Sequence, residues 1–149
     1  MPNLIRSATA NDVPQILQLL EQPDMDGAAQ DEATAKVQLQ KIQQSCHQQQ
    51  YVVCPEDDPQ TVLATYLLSF ITKIGHGGAP VAIAEDVVVS RSLQGQGLGQ
   101  MMMRHAMQQA RTRGCYKLAL SSNQKRKAAH AFYQSLGFVQ HGYSFEVHP

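Results

Sequence analysis

The chain has 149 residues, of which 43% are hydrophobic and 16% are charged, and its formal net charge is zero. This length and composition suit one folded domain over residues 1–149 and exclude a disordered chain. No apolar run approaches the roughly 20 residues of a membrane-spanning helix, and the neutral net charge argues against general nucleic-acid binding. The first residues lack a signal-peptide pattern, and the three cysteines lack metal-ligand spacing. We therefore expect a cytoplasmic protein with reduced thiols, no bound metal and no membrane association.

The charges are unevenly distributed along the chain. Residues 1–75 carry four Lys/Arg and nine Asp/Glu, whereas residues 76–149 carry eight and three. A basic second half suits a polyanionic ligand, although a random scatter of solvated charges would also produce it.

The first half of the chain predicts strands and helices in alternation. The segment NLIRSA predicts a strand, and a capping box follows it, with Thr9 at the cap and Asp12 three residues on. Apolar residues at helical spacing then predict a first helix, and a second is predicted from about Asp31 to Gln49. The segments YVVC and TVLATYLLSFITKI are rich in β-branched and aromatic residues and predict two strands.

The second half predicts the remaining elements of an α/β fold. The segment VAIAEDVVVS predicts a strand, and a helix is expected from about Gly97 to Arg113. CYKLALSS predicts another strand, KRKAAHAFYQSL a final helix, and FVQHGYSFEV one or two last strands. This order predicts a mixed central sheet of about six to seven strands flanked by about four helices.

Three glycines in five residues separate the strand VVV from the Met-rich helix, in the segment QGQGLG at residues 94–99. The spacing G-x-G-x-G matches neither the dinucleotide fingerprint nor the nucleoside-triphosphate loop. Glycines let backbone N–H groups approach a ligand closely, and a helix N-terminus favours an anion. The residues alone therefore leave two interpretations, a tight turn or a cradle for phosphate.

The glycine segment resembles the Q/R-x-x-G-x-G/A signature of the GCN5-related N-acetyltransferase (GNAT) superfamily. The string Asn123 … Phe132-Tyr133 … Leu136-Gly137-Phe138 is similar to that family's N … F-Y-x-x-x-G-F pattern. The resemblance covers essentially the whole chain. The segments EDVVV and CYK are similar to the glucosamine-6-phosphate N-acetyltransferases, whereas SSNQKRKAAHAFY resembles the aminoalkylphosphonate N-acetyltransferases.

The resemblance implies acetyl-coenzyme A as the co-substrate. In the family the strand backbone pairs with the pantetheine arm, one strand N–H polarises the thioester carbonyl, and the glycine loop binds the pyrophosphate. The residues so implicated are Val87, Val88, Val89, Gln94, Gly95, Gln96, Gly97, Leu98, Gly99, Gln100, Asn123, Arg126, His130 and Tyr133. Asn123 could instead cap a helix or form a turn. Many relatives carry Arg in place of Gln94, and Arg104, Lys125 or Arg126 could compensate for the missing charge.

Two side chains are candidates for acid–base chemistry. Glu85 and Asp86 interrupt an apolar strand, and a buried carboxylate needs a partner or a function. On a regular strand they face opposite sides, with Glu85 on the face of Val87 and Val89. The family often places a Glu near this position to take the proton of the amine, which favours Glu85 over Asp86 as the base. The family's tyrosine at the position of Tyr133 donates a proton to the departing thiolate.

The resemblance thus implies an N-acetyltransferase that moves acetyl from acetyl-coenzyme A to the primary amine of a small molecule, by direct attack in a ternary complex. Transfer to a protein or aminoglycoside amine, and a non-catalytic coenzyme-binding module, are the alternatives. The two closer resemblances suggest a small anionic amine as the acceptor. His76 lies in a loop that could border the acceptor pocket, and a homodimer is an option because the family often dimerises.

Overall fold

The computed structural model describes residues 2–23, 25, 30–122 and 126–149. The strands are β1 Asn3–Ser7, β2 Gln48–Pro55, β3 Ala64–Ile71, β4 Val81–Val89 and β5 Lys117–Leu120. The helices are α1 Val13–Leu20, α2 Glu32–Gln44, α3 Leu98–Thr112 and α4 Lys127–Ser135. Short 3-10 turns cover Ala10–Asp12, His76–Gly78 and Arg91–Leu93.

The five strands form one sheet in the order β1-β2-β3-β4-β5. Each neighbouring pair from β1 to β4 is antiparallel. β4 and β5 are joined through α3, which is the kind of crossover that connects parallel neighbours. The prediction of an α/β fold with a mixed sheet and four helices is therefore confirmed.

The described residues form five strands and not the predicted six to seven, because the segment FVQHGYSFEV (residues 138–147) forms none. Its apolar residues Tyr143, Phe145 and Val147 alternate as strand residues would, yet they are 84–92% exposed. Alternation makes a strand only where a neighbouring edge accepts the backbone hydrogen bonds, and this segment has no such neighbour among the described residues.

α2 ends earlier than predicted, at Gln44 rather than Gln49. Ser45 has an extended backbone, and Gln48, Gln49 and Gln50 pair with β3 as part of β2. The Gln-rich stretch has no apolar stripe to hold it as a helix, so pairing with β3 decides its conformation.

The described chain divides into two compact units, residues 1–119 and residues 120–149. In the first unit one face of the sheet packs against α1 and α2, in a cluster that includes Ile16, Leu39, Val52 and Val88. The opposite face packs against α3, whose Met102, Met103 and Ala106 are fully buried. The single domain over residues 1–149 stays a prediction.

The capping box predicted before the first helix is confirmed. The Thr9 amide donates to Asp12 Oδ2 over 2.7 Å, and Arg6 donates to both Asp12 oxygens over 2.7 and 2.8 Å. Arg6 also donates to the carbonyl of Pro59 in the β2–β3 connection. This cluster joins β1, the start of α1 and that connection through one buried carboxylate.

Candidate active site

β4 contains a bulge at the two candidate site residues Asp86 and Val87. Leu67 of β3 pairs with Glu85, and Thr65 pairs with Val88, so Tyr66 alone stands opposite two residues of β4. The bulge accommodates its extra residue at Asp86, whose φ is 52°. This is a left-handed conformation that few non-glycine residues adopt. Such a bulge re-aims side chains and frees backbone groups from the ladder.

The bulge corrects the predicted alternation of side chains along β4. Since Leu67 and Thr65 lie on one face of β3, their partners Glu85 and Val88 share a face of β4. Glu85 therefore does not share its face with Val87 and Val89, as regular alternation predicted. Both Glu85 and Asp86 are exposed, so neither carboxylate has the burial that the sequence suggested.

Among the described residues, the last residues of β4 have a partner strand on one side only. Val88 and Val89 pair with β3, and Val88 is buried in the core below α1. On the other side the Tyr116 amide bonds the Pro80 carbonyl, which sets the start of β5 level with the start of β4. β5 has four residues and β4 has nine, so the described part of β5 stops short of Val87–Val89. Backbone groups on this side, apart from the Val89 carbonyl, are available to a ligand.

Gln22, just after α1, binds the backbone at the C-terminal end of β4. Its Nε2 donates to the Val89 carbonyl over 3.1 Å, and its Oε1 accepts from the Arg91 amide over 3.0 Å. The side-chain amide thus replaces a neighbouring strand at the point where β4 leads into the glycine loop. The sequence offered no signal for this contact, because the partners are nearly 70 residues apart.

The glycine loop is open above its backbone. Gly95 and Gly97 have φ of 83° and 87°, and nothing lies within 4 Å of a Cβ built on either one. These positions are therefore glycine for their backbone conformation and not because of a packed neighbour. Gly97 is the N-cap of α3, so the first amides of that helix point outward without helical acceptors. The arrangement suits an anion.

Gln94, Gln96 and Gln100 belong to the same stretch. Gln94 and Gln96 are exposed, Gln100 is half-buried in the first turn of α3, and Leu98 is buried beneath the loop. The structure thus places one continuous segment, from Glu85 to Gln100, in the unit of residues 1–119.

A cluster that sequence reasoning missed lies behind the bulge. The Tyr66 hydroxyl is 2.6 Å from His105 Nδ1 of α3, and Tyr51 of β2 stacks on Tyr66 with ring centroids 5.4 Å apart. The Tyr51 ring also meets the His105 ring edge-on at 4.5 Å. Burial lowers the pKa of His105 and raises the pKa of Tyr66, so both are neutral near pH 7.

The loop after β3, expected to border the acceptor, carries a second aromatic cluster. His76 stacks on Tyr116 with ring centroids 3.9 Å apart and an interplanar angle of 12°. Lys73 Nζ donates to the Tyr116 hydroxyl over 2.9 Å. His76 has φ 55°, followed by two glycines with positive φ, so the stack is built on a tightly turned backbone.

The predicted residues of α4 lie in the unit of residues 120–149. Tyr133 is buried against Phe132 and Phe138, at ring distances of 5.4 and 5.8 Å. Burial raises the pKa of Tyr133, against a smaller opposing effect of the Arg126 charge, so its hydroxyl keeps its proton at neutral pH. His130 is half-buried on the same helix. Asn123 and Lys125 lie outside the described residues.

A surface pocket of about 560 Å³ lies beside the glycine loop, with Leu63, Leu98, Gln96, Asp57 and Asp58 in its lining. It includes none of Glu85, Asp86 or the last valines of β4, so we place the candidate site on β4 and not in this pocket. Within the described ranges no group of three His, Cys, Asp or Glu could hold a metal ion. No described helix has the length and apolar character needed to cross a membrane.

A family model described as "Acetyltransferase (GNAT) family" matches residues 14–138. This range covers most of the chain, including β4, the glycine loop and α4. The chain therefore belongs to the GNAT acetyltransferase family.

Two curated relatives are named for the same substrate. The chain is 32% identical over 102 residues to a probable glucosamine 6-phosphate N-acetyltransferase 2 of Oryza sativa subsp. japonica, covering 66% of this chain and 60% of the relative. It is 41% identical over 69 residues to a glucosamine 6-phosphate N-acetyltransferase of Trypanosoma brucei brucei, covering 46% of this chain and 45% of the relative. The matches thus span about half the length of these relatives.

The fold has close counterparts among solved structures. A putative acetyltransferase from Agrobacterium tumefaciens str. C58 is 27% identical and superposes with a TM-score of 0.87, covering 98% of this chain and 99% of that one. The architecture described above is therefore found at full length in another protein of this kind.

Proposed function

We propose that this protein transfers the acetyl group of acetyl-coenzyme A to the primary amine of a small molecule. The observation that carries the proposal is the open backbone from the β4 bulge to Gly97. One end offers unpaired strand groups beside two carboxylates, and the other offers an unobstructed loop at a helix N-terminus. This combination suits a long ligand with an acyl group at one end and a diphosphate near the other.

The proposed reaction is direct attack by the neutral amine on the thioester carbonyl. Glu85, directly or through water, takes one proton from the ammonium, so that the nitrogen lone pair is free to form the new C–N bond. A backbone N–H of Val87 or Val88 stabilises the negative charge on the carbonyl oxygen. When the C–S bond breaks, Tyr133 gives its proton to the thiolate. The second proton of the attacking nitrogen leaves as the neutral amide forms and restores the Tyr133 hydroxyl, and Glu85 releases the first proton to solvent.

The state of each group supports its role. Glu85 is exposed, and burial raises the pKa of Tyr133, so the Tyr133 hydroxyl holds a proton at neutral pH. The loop residues Gln94–Gln100 would hold the pyrophosphate through backbone amides, since the described part of the loop carries no cation. Asn123, Arg126 and His130 keep their proposed coenzyme contacts on family resemblance alone.

The names of the relatives make glucosamine 6-phosphate the first amine to test, with an aminoalkylphosphonate, an aminoglycoside and a peptide amine as competitors. Release of free thiol from acetyl-coenzyme A is the readout. We expect kcat/KM to be highest for a phosphorylated or phosphonate amine. Donor binding without thiol release for any amine would instead favour the non-catalytic module.

The catalytic roles are tested by single substitutions. Tyr133→Phe should lower turnover by roughly 10²–10⁴-fold and leave donor binding intact, because only the proton is removed. Tyr143→Phe removes an exposed hydroxyl from the same unit and serves as the control. Glu85→Gln should reduce turnover more than Asp86→Asn, and the opposite order would assign the base to Asp86.

We also propose that the protein forms a homodimer. Tyr143, Phe145 and Val147 supply an exposed apolar stripe at strand spacing, which is the kind of surface that a second copy covers. Light scattering should give twice the chain mass for the native protein and a smaller value for Tyr143→Ser/Phe145→Ser. A monomeric native protein would contradict the proposal.

A further inference from the structure

His105 lies at the junction of the three elements that position the site. It belongs to α3, which begins at the glycine loop, and it bonds Tyr66 of β3 and contacts Tyr51 of β2. Tyr66 is fully buried, and it is the residue that stands opposite the Asp86–Val87 bulge. His105 is seven residues after Leu98, or about 10 Å along the helix axis. One hydrogen bond therefore connects the loop-bearing helix with the strand position facing the bulge.

The direction of that bond follows from what each group can offer. The Tyr66 hydroxyl has no other hydrogen-bond partner in the described structure, and a buried hydroxyl needs an acceptor for its proton. A neutral imidazole with its proton on Nε2 provides that acceptor at Nδ1. A protonated imidazole has a proton on both nitrogens, so it leaves the Tyr66 proton without an acceptor.

We propose that neutral His105 is a positioning residue, which accepts the Tyr66 hydroxyl bond and thereby fixes α3 and its glycine loop against the bulge that carries Glu85 and Asp86. This rests on the proposed acetyl transfer. The donor is held at the loop, and the base acts at the bulge. Their relative placement therefore governs the approach of amine and thioester, and a small misplacement is costly.

The strands that pack against His105 present aromatic and apolar side chains to it. Its protonation state therefore depends on the Tyr66 hydrogen bond and on burial. β3 contributes Tyr66, and β2 contributes Tyr51. The face of β4 toward α3 presents Ala82 and Ala84, which pair with Phe70 and Leu68 and carry no charge. Arg113, the residue that follows α3, acts on Tyr51 through its charge. Burial keeps the pKa of His105 below its usual value, so the neutral form prevails at pH 7.

The test compares three variants with the native chain, using acetyl-coenzyme A and the best amine of the panel. His105→Leu and Tyr66→Phe each remove the bond, and each should lower kcat about tenfold while the donor KM stays within about twofold. His105→Asn places an amide oxygen near the position of Nδ1 and should retain most of kcat at pH 7.5. Tyr66→Phe/His105→Leu should be no worse than either single variant, because both remove one interaction.

The pH dependence separates positioning from a general loss of packing. The ratio of native to His105→Asn activity cancels every pH effect that the two proteins share, including the titration of the amine substrate. This ratio should fall as the pH drops below the ordinary histidine pKa of about 6.5, since only the native side chain gains a proton. His47→Asn changes an exposed histidine outside the site, and its ratio should stay flat.

Native kcat for His105→Leu, or equal impairment of His105→Asn and His105→Leu at every pH, would overturn the proposal. Hydrogen exchange at the amides of residues 85–88 tests it without turnover, with faster exchange expected in His105→Leu than in the native chain. An inactive native protein with this exchange difference would refute acetyl transfer and keep the positioning role. Unchanged exchange would refute the positioning role itself.

Discussion

Asp12 and Tyr66 are both buried polar side chains of the first unit, but they are partnered in opposite ways. Asp12 accepts four hydrogen bonds, two from Arg6 and two from Thr9, and it is a charged group in a charged network. Within the described part of the chain, the Tyr66 hydroxyl has one neutral hydrogen bond, to His105. The Asp12 cluster joins β1, the start of α1 and the β2–β3 connection, whereas the Tyr66 pair lies behind the bulge. The difference separates a contact that holds the fold from one that aligns the site.

Asp12→Ala should have the largest effect on stability. It leaves the Arg6 guanidinium, only 27% exposed, without its carboxylate, and breaking such a pair costs about 3 kcal/mol of unfolding free energy. Denaturant titration measures this loss, while kcat of the folded fraction should be unchanged. Lys36→Ala, in the exposed pair with Glu32, should cost about 0.5 kcal/mol or less. A comparable cost for both variants would mean that the buried and the exposed ion pair contribute equally to stability.

Tyr66→Phe should affect stability less than Asp12→Ala does, and kcat more. One neutral hydrogen bond contributes about 1 kcal/mol to stability, less than the Asp12 network. Its effect on kcat should nevertheless exceed that of Asp12→Ala. Unfolding and kinetics measured on the same preparations give the comparison, and a Tyr66→Phe enzyme with native kcat but low stability would make the two clusters equivalent.

The contributions of the two clusters to the free energy of unfolding should be lost in different pH ranges. Burial opposes ionisation of Asp12, but the bonds from Arg6 and Thr9 outweigh it and lower the pKa of Asp12. Its contribution is therefore present above the ordinary Asp pKa of about 3.9 and is lost as the pH falls through the lower folded value. Burial also lowers the pKa of His105, so the unfolded chain takes up that proton first and stability decreases below about pH 6.5.

Unfolding free energies between pH 3 and 8 test this assignment. Asp12→Asn should remove the decrease at low pH, and His105→Asn should remove the decrease that begins near pH 6.5. If either variant removed the other decrease, the two titrations would be assigned to the wrong groups.

Thr9→Ala should have the smallest effect on stability of the substitutions within the two clusters. The exposed hydroxyl supplies the longest of the four bonds to Asp12, at 3.2 Å, whereas the Thr9 amide bond remains. A loss of about 0.5 kcal/mol is expected. A loss near that of Asp12→Ala would mean that the cap, and not the ion pair, holds the cluster.

The parts of the molecule that depend on local spacing were predictable from the sequence. The capping box at Thr9 and the glycine loop before α3 each lie within a few residues, so their geometry follows from their own composition. The end of α2 and the missing last strands were not predictable in this way. In both segments, pairing with a distant strand, or its absence, decides the conformation.

The segments of the candidate site could be located from the sequence, but their geometry could not. The motifs located β4, the loop and Tyr133, but the bulge at Asp86 breaks the regular alternation on which the placement of Glu85 depended. An acidic pair inside a strand is the available signal, since Asp enters the left-handed region more readily than most residues. The Tyr66–His105 contact spans 39 positions, and no spacing rule connects them.

Gln22 limits how the chain can change by single substitutions. Its amide uses both functions, as donor to the Val89 carbonyl and as acceptor from the Arg91 amide. A glutamate has the same shape but would set a second oxygen against that carbonyl, whereas a lysine would lack the acceptor. Shape and polarity together therefore make this position intolerant of exchanges that are usually conservative. Deamidation of Gln22 would convert its side-chain amide to a carboxylate. As a protein preparation ages, this reaction would therefore loosen the C-terminal end of β4.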